Sequence, residues 1–230
     1  CPHFERCGGC KLQHLDTRAQ VAMKQRVLEE DLRRLGEVRP AQMLPPIYGP
    51  DWGYRHRARF AVKYVARKNG ALVGFHERRT HYVVDMDSCA VLPEPVSALI
   101  APLRELISSL TLAARIPQIE VALGTDRIVL AIRVLDRPTL EDLVLLRRFA
   151  ATHAVSIRLQ GDRPDALEPL DAADAPLLAY TLPEFGLRLD FAPSDFTQVN
   201  PYVNRALVHR AVALLDVRSG DRIADLFCGL

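Results

Sequence analysis

Cys1-Pro2-His3-Phe4-Glu5-Arg6-Cys7-Gly8-Gly9-Cys10 decides how the rest of the chain is read. Three thiols fall within ten residues, spaced C-x5-C-x2-C. A helix or strand cannot aim three side chains at one point with that spacing, whereas a glycine-rich loop can. Gly8 and Gly9 are expected to turn the backbone tightly with positive φ. Three thiolates leave a tetrahedral site one ligand short, and Cys89, in Asp85-Met-Asp-Ser-Cys-Ala-Val-Leu-Pro93, is the distant fourth. Four thiolates suit a [4Fe–4S] cluster or a structural zinc, and spacing does not separate the two. Disulfides are disfavoured by an odd count of five cysteines and by the lack of a visible signal peptide.

The long motif Cys-Pro-His-Phe-x-x-Cys-Gly-Gly-Cys, with Gln13-His14 after it, resembles the cluster loop of the RNA uracil-C5 methyltransferases, in particular their bacterial 23S ribosomal RNA branch. These are class I enzymes dependent on S-adenosylmethionine. The resemblance implies [4Fe–4S] on Cys1, Cys7, Cys10 and Cys89. It also favours ribosomal over transfer RNA, because the transfer-RNA branch lacks these cysteines and the other 23S branch spaces its first pair differently.

Composition is neutral on the partner. The 230 residues are 49% hydrophobic, enough for one large domain or two modest ones, and the formal net charge is only +2. No apolar run approaches the roughly 20 residues that span a bilayer. A monomer in the cytoplasm, with no membrane partner, is the expectation.

Along the chain, Asp16 or Thr17 can cap a packing helix that runs to about Leu35, with Val21, Leu28, Leu32 and Leu35 as its buried stripe and Gly36 as its stop. Pro40, Pro45, Pro46 and Pro50 make an extended connector. Tyr54-Arg-His-Arg-Ala-Arg-Phe-Ala-Val-Lys-Tyr-Val65 alternates like a strand. Arg55, Arg57, Arg59 and Lys63 share one face, against Tyr54, Phe60, Val62 and Tyr64. Same-face residues repeat at about 6.8 Å, a pitch at which guanidiniums can track phosphates. RNA contact is therefore expected there, and Trp52-Gly-Tyr-Arg-x-Arg-Ala-Arg59 also resembles a family segment. Asn69-Gly70 reads as a type I′ hairpin turn into Ala71–His76, and a third strand, His81–Val84, delivers the chain to Cys89.

The middle reads as ordinary α/β: a helix after Pro93 to Leu110, strands at Gln118–Leu123 and Arg127–Val134, a helix at Thr139–Thr152 and a strand at Val155–Gln160. No catalytic constellation appears there. His153 is a cap or surface residue, and Asp162–Pro176 is a loop.

Chemistry resumes at Phe191-Ala-Pro-Ser-Asp-Phe-Thr-Gln-Val-Asn-Pro201. Asn200 is a good N-cap and Pro201 a good first helical residue, with Val203, Leu207, Ala211 and Leu214 as the buried stripe of the following helix. Neither explains Gln198. Phe-x-Gln-Val-Asn resembles a family motif whose glutamine lies at the cofactor and substrate site, and Phe196 is a candidate base-contacting aromatic. Arg222–Leu226 reads as a strand leading into a glycine turn, as a Rossmann-type site begins. As Asp-Leu-Phe-Cys-Gly it resembles the family's first S-adenosylmethionine motif, which implies Asp225, Phe227 and Gly229 at the cofactor.

The fold class expected is thus α/β. An iron–sulfur loop (1–15) would precede a central α+β RNA-recognition domain (16–180) and the start of a Rossmann-like methyltransferase domain (181–230). The resemblance implies an RNA-binding TRAM domain ahead of Cys1. It places the nucleophilic cysteine and the general base after Leu230, so Cys228 is not the nucleophile and these 230 residues are expected to bind rather than turn over. A zinc-stapled RNA-binding module without methyl transfer is the alternative, and methyl transfer to another ribosomal or transfer RNA site is another.

Overall fold

A computed structural model describes residues 1–161, 167–171, 177–226 and 229. Among them, six strands form one sheet in the order β2-β1-β3-β4-β5-β6: β1 Arg57–Val65, β2 Gly70–Gly74, β3 Gln118–Leu123, β4 Ile128–Arg133, β5 Val155–Gln160 and β6 Leu167–Pro169. The pairings are antiparallel except β4 with β5. A parallel neighbour needs a crossover, and helix α4 (Leu140–His153) supplies it.

Period-two alternation sorts the two faces. Phe60, Ile119, Leu130, Ile132 and Ile157 point to one face and are essentially inaccessible to solvent. Helix α3 (Ile100–Ser109) covers them with Ile100, Leu103 and Ile107, and α4 adds Leu146 and Phe149. Burying each of these side chains contributes about 1.5–3 kcal/mol. On the opposite face, a hairpin of β7 (Leu178–Leu182) and β8 (Leu187–Phe191) sets Leu178 and Phe191 against Ala122 and Val129. The Thr125 N–H donates to the Ala179 carbonyl at 2.8 Å and fastens the hairpin to the β3–β4 turn.

Several expectations change. The predicted helix from Pro93 to Leu110 is two, α2 (Glu94–Ser97) and α3. Pro102 has no N–H to give the Ala98 carbonyl and its ring crowds that group, so the helix restarts at Ile100. The Asn69-Gly70 hairpin exists, but its turn is a short 3-10 segment, Ala66–Lys68, and only Asn69 takes positive φ. His81–Val84 is no strand; Val83 makes a single bridge to His76. Arg222–Leu226 is not a strand either, since no neighbouring strand among the described residues offers it a ladder. Helix α1 (Thr17–Arg34), capped by Asp16, and α5 (Pro201–Leu215), capped by Asn200, form as expected. Yet neither buries its stripe: Leu28 is 50% exposed, Leu35 82% and Leu214 65%. Both stripes flank an open groove with the connector, where Val21, Leu28, Met43, Ile47 and Val203 meet.

One buried carboxylate ties the helical layer together. Asp142 accepts from the N–H and hydroxyl of Thr111, at 2.7 and 2.6 Å, and from the N–H and hydroxyl of Thr139, both at 2.9 Å. It closes the capping box of α4 and holds the exit of α3. Burial pushes its pKa up, and the hydrogen bonds from Thr111 and Thr139 outweigh that and hold it below the usual carboxylate range. A depressed folded pKa contributes stability that is present above the unfolded value of about 3.9 and lost as pH falls through the folded value. Asp142→Ala in the full-length protein is expected to cost about 3 kcal/mol, because two buried N–H groups lose a charged acceptor. Urea unfolding should show the loss at pH 7 and a progressively smaller loss as pH falls below the unfolded value of about 3.9. An unchanged midpoint at pH 7 would refute the role.

Candidate thiol centre and cofactor groove

The N-terminal loop winds as tight turns, with the N–H groups of Arg6 and Cys7 both donating to the His3 carbonyl. It is then pinned to the chain after β2. Cys7 bridges Glu77, and the Gly8 N–H donates to the His76 carbonyl at 2.8 Å. Gly8 and Gly9 do not take positive φ, contrary to expectation. They are needed for close approach: a Cβ on Gly8 would lie 3.0 Å from the His76 carbonyl oxygen, and one on Gly9 3.0 Å from the Phe75 ring.

Cys89 arrives from the other side, its N–H donating to the Ser97 hydroxyl at 2.9 Å. Cys1, Cys7, Cys10 and Cys89 line one small, enclosed, almost wholly apolar pocket, walled by Phe4, Phe75, Met86 and Val91. Cys7 and Cys89 are buried, Cys10 is half-buried and Cys1 is exposed. Burial pushes the Cys10 thiol up, against the pull of Arg55 and then other cations, and burial likewise raises Cys89. Among the described residues no group of three or more His, Cys, Asp or Glu side chains stands in an arrangement that would hold a metal ion.

The arginine row divides. Lys63 is exposed, and Arg59 pairs with Glu120 across the β1–β3 ladder at 2.8 Å. Arg55 donates through Nε to the Arg57 carbonyl and lies near Cys10. Arg57 turns inward. Its Nη2 donates to the Pro193 carbonyl at 2.5 Å and its Nη1 to the Asp195 carbonyl, with Thr197 Oγ1 at 3.5 Å. The four cations that share a face thus have different surroundings: Lys63 and Arg59 are outside, Arg55 is by the thiols and Arg57 is engaged by a loop. Arg59 also borders a broad basin beside the thiol loop with Lys11, Arg78 and Arg79.

The loop held by Arg57 carries the other candidates. Phe196, Gln198 and Gly229 line one groove of about 550 Å³ with His56, Tyr180 and Tyr202, a volume ordinary for small-molecule sites. Phe196 is 77% exposed, so its ring is open to a ligand. Asn200 Oδ1 accepts from the Val203 N–H at 3.1 Å, which fixes the loop's far end on the first turn of α5. Asp225 is exposed and does not line the groove. Phe227 and Cys228 lie outside the described residues.

Sequence reasoning passed over His56. Its N–H donates to the Val199 carbonyl at 2.8 Å, its carbonyl accepts from Leu123, and its ring meets Tyr202 edge-on at 6.2 Å. Burial holds its pKa below the usual histidine range. No local pattern marks it, because its partners lie 67 and 143 residues away by numbering.

No protein-family model matches the chain. It is 55% identical over 230 residues to the 23S rRNA (uracil(1939)-C(5))-methyltransferase RlmD of Nitrosospira multiformis, covering 100% of this chain and 52% of the relative. The protein of the same name from Bordetella pertussis is 56% identical, with 100% and 49% covered. The chain thus spans about half the length of the curated relatives it matches. In fold it is similar to the Pyrococcus abyssi tRNA (uracil-54, C5)-methyltransferase solved with S-adenosyl-L-homocysteine, at a TM-score of 0.64 and 21% identity, over 93% of this chain and 52% of that one. With an α/β fold of that kind and more than half its residues shared along its whole length, the chain is similar throughout to about half the length of the proteins named RlmD 23S rRNA uracil-C5 methyltransferase.

Proposed function

We propose that this chain is part of an enzyme that transfers a methyl group from S-adenosylmethionine to C5 of a uracil in 23S ribosomal RNA. The observation that carries this is the convergence of Phe196, Gln198 and Gly229 on one groove. These are the residues that the resemblance assigns to cofactor and base. Gln198 offers both a donor and an acceptor to orient a ligand at the N-terminal end of α5. Phe196 offers a face on which a flipped base can stack. Asp225, with Phe227, belongs to the same cofactor motif. Nucleophilic addition to uracil C6, attack of the resulting C5 carbanion equivalent on the cofactor methyl and loss of the C5 proton are assigned to no residue here.

Cys1, Cys7, Cys10 and Cys89 would hold [4Fe–4S]. Four thiolates suit a single zinc or a cluster, and the resemblance of the cysteine motif is what favours the cluster. The cluster would staple residues 1–15 to the sheet of the RNA-recognition unit (16–180). Residues 181–230 would open the methyltransferase unit, and the whole would act as a cytoplasmic monomer. Arg55, Arg59 and Lys63 would contribute cations to the RNA face.

Full-length protein, incubated with 23S rRNA and methyl-labelled cofactor, should yield 5-methyluridine in the RNA digest. Gln198→Ala should reduce the rate about 10- to 100-fold, the effect of losing one or two hydrogen bonds in the transition state. Absence of 5-methyluridine with the full-length protein would sink the proposal.

A further inference from the structure

Arg78 makes more contacts with the thiol loop than any role assigned above requires. Its Nε donates to the Cys7 carbonyl at 3.1 Å and its Nη2 to the Cys10 carbonyl at 3.2 Å. The guanidinium carbon sits 4.1 Å from the centroid of the Phe4 ring, and that ring leans on His14 at 4.4 Å. The Arg78 N–H donates to the Arg6 carbonyl at 2.8 Å, and Arg6 in turn pairs with Glu77 at 2.7 Å. One side chain thereby touches the loop at positions 4, 7 and 10, and its backbone touches a fourth.

The chemistry suits an arginine alone. Its planar fork spans two carbonyls at once while its face rests on an aromatic ring; an ammonium is a point charge and cannot do all three. Both carbonyls belong to cysteines of the apolar pocket, so the fork fixes the backbone from which those thiols project. The charge also stands beside a centre whose four thiolates, once loaded, more than offset the positive core they hold.

We propose that Arg78 is the positioning residue of the thiol centre, locking the loop so that Cys7 and Cys10 are set before iron arrives and placing a cation against the loaded cluster. This rests on reading the four cysteines as a [4Fe–4S] site. Net charge and hydrogen bonding around a cluster set its potential, so loss of the cation makes the cluster harder to reduce.

Two measurements on the full-length protein decide it. In the reduced, metal-free protein, iodoacetamide should alkylate Cys7 and Cys10 about fivefold faster or more in Arg78→Ala than in the parent, the effect of losing about one net hydrogen bond on loop opening. Cys89, whose backbone Arg78 does not hold, should react at the parental rate. After anaerobic reconstitution, the cluster of Arg78→Ala should have a more negative midpoint potential, and Arg78→Lys should restore most of the potential without restoring slow alkylation. Unchanged alkylation of Cys7 and Cys10, or an increase shared equally by Cys89, would overturn the proposal. If the parent takes up no iron and sulfide, the cluster reading fails, and the metal-free comparison still decides the role of Arg78.

Discussion

Replacing Cys89 with serine in the full-length protein is expected to take bound iron from about four atoms per chain to well below one, with matching loss of acid-labile sulfide. The expectation comes from where Cys89 stands. It is buried, its N–H is fixed on Ser97, and it shares with Cys1, Cys7 and Cys10 an apolar pocket whose lining offers no fifth thiol, only His3, Gln13 and the Met86 thioether as other donors. A serine hydroxyl is a poor ligand for a soft iron–sulfur core. The consequence reaches past the metal, because Cys89 is the only one of the four outside the first ten residues. Without it the loop is held by the Gly8–His76 hydrogen bond, the Cys7–Glu77 bridge, the Arg6–Glu77 ion pair and Arg78, all to the chain just after β2. Protease should then cut near the N-terminus of the serine variant faster than in the parent. Burial raises the Cys10 and Cys89 thiols, so ligation must displace protons and loading should improve as pH rises. Iron anaerobically retained by Cys89→Ser at the parental level, or stoichiometric zinc without sulfide in the parent, would refute the assignment.

Much of this was legible because some signals are local. The β3 and β5 boundaries follow from apolar alternation and match residue for residue, Gln118–Leu123 and Val155–Gln160. Asp16 and Asn200 cap helices because a side-chain oxygen needs only the next turn's N–H, and the same holds for Thr139, which lies just outside the helix it is expected to begin. The thiol pocket was legible as chemistry, since few other arrangements account for three cysteines in ten residues. Its glycines take no positive φ, and the space beside Gly8 is set by His76, nearly seventy residues on. Asp142 reads locally as half of a capping box, while its bonds to Thr111 are tertiary. The stripes of α1 and α5 mark a face that can be buried, and no sequence period says what covers it. Arg57 is the sharpest case: alternation places it correctly on the face of Arg59 and Lys63, and what meets it on that face is a loop 136 residues away.

That contact makes Arg57 the most damaging position in the arginine row to change, for a reason other than RNA affinity. A row of equivalent phosphate contacts would lose about 0.7–0.9 from the log–log salt slope with each arginine removed. Arg57 already spends its guanidinium on the carbonyls of Pro193 and Asp195, and burial holds its pKa below the usual guanidinium range. Arg57→Ala in the full-length protein should therefore leave the salt slope of RNA binding unchanged, whereas Lys63→Gln should reduce it by about 0.7–0.9. The damage should fall on the groove instead. Two charge-assisted bonds, each contributing about 1.5–3 kcal/mol, hold the turn that positions Phe196 and Gln198. Even partial recovery by the Val199–His56 bond on the loop's other flank leaves a penalty of about 3 kcal/mol, or roughly a hundredfold in kcat/KM for methyl transfer. Arg57→Lys keeps the charge, loses the fork and should recover only part of that rate. If Arg57→Ala lowers the salt slope and leaves methyl transfer intact, the guanidinium faces RNA after all and the loop holds itself.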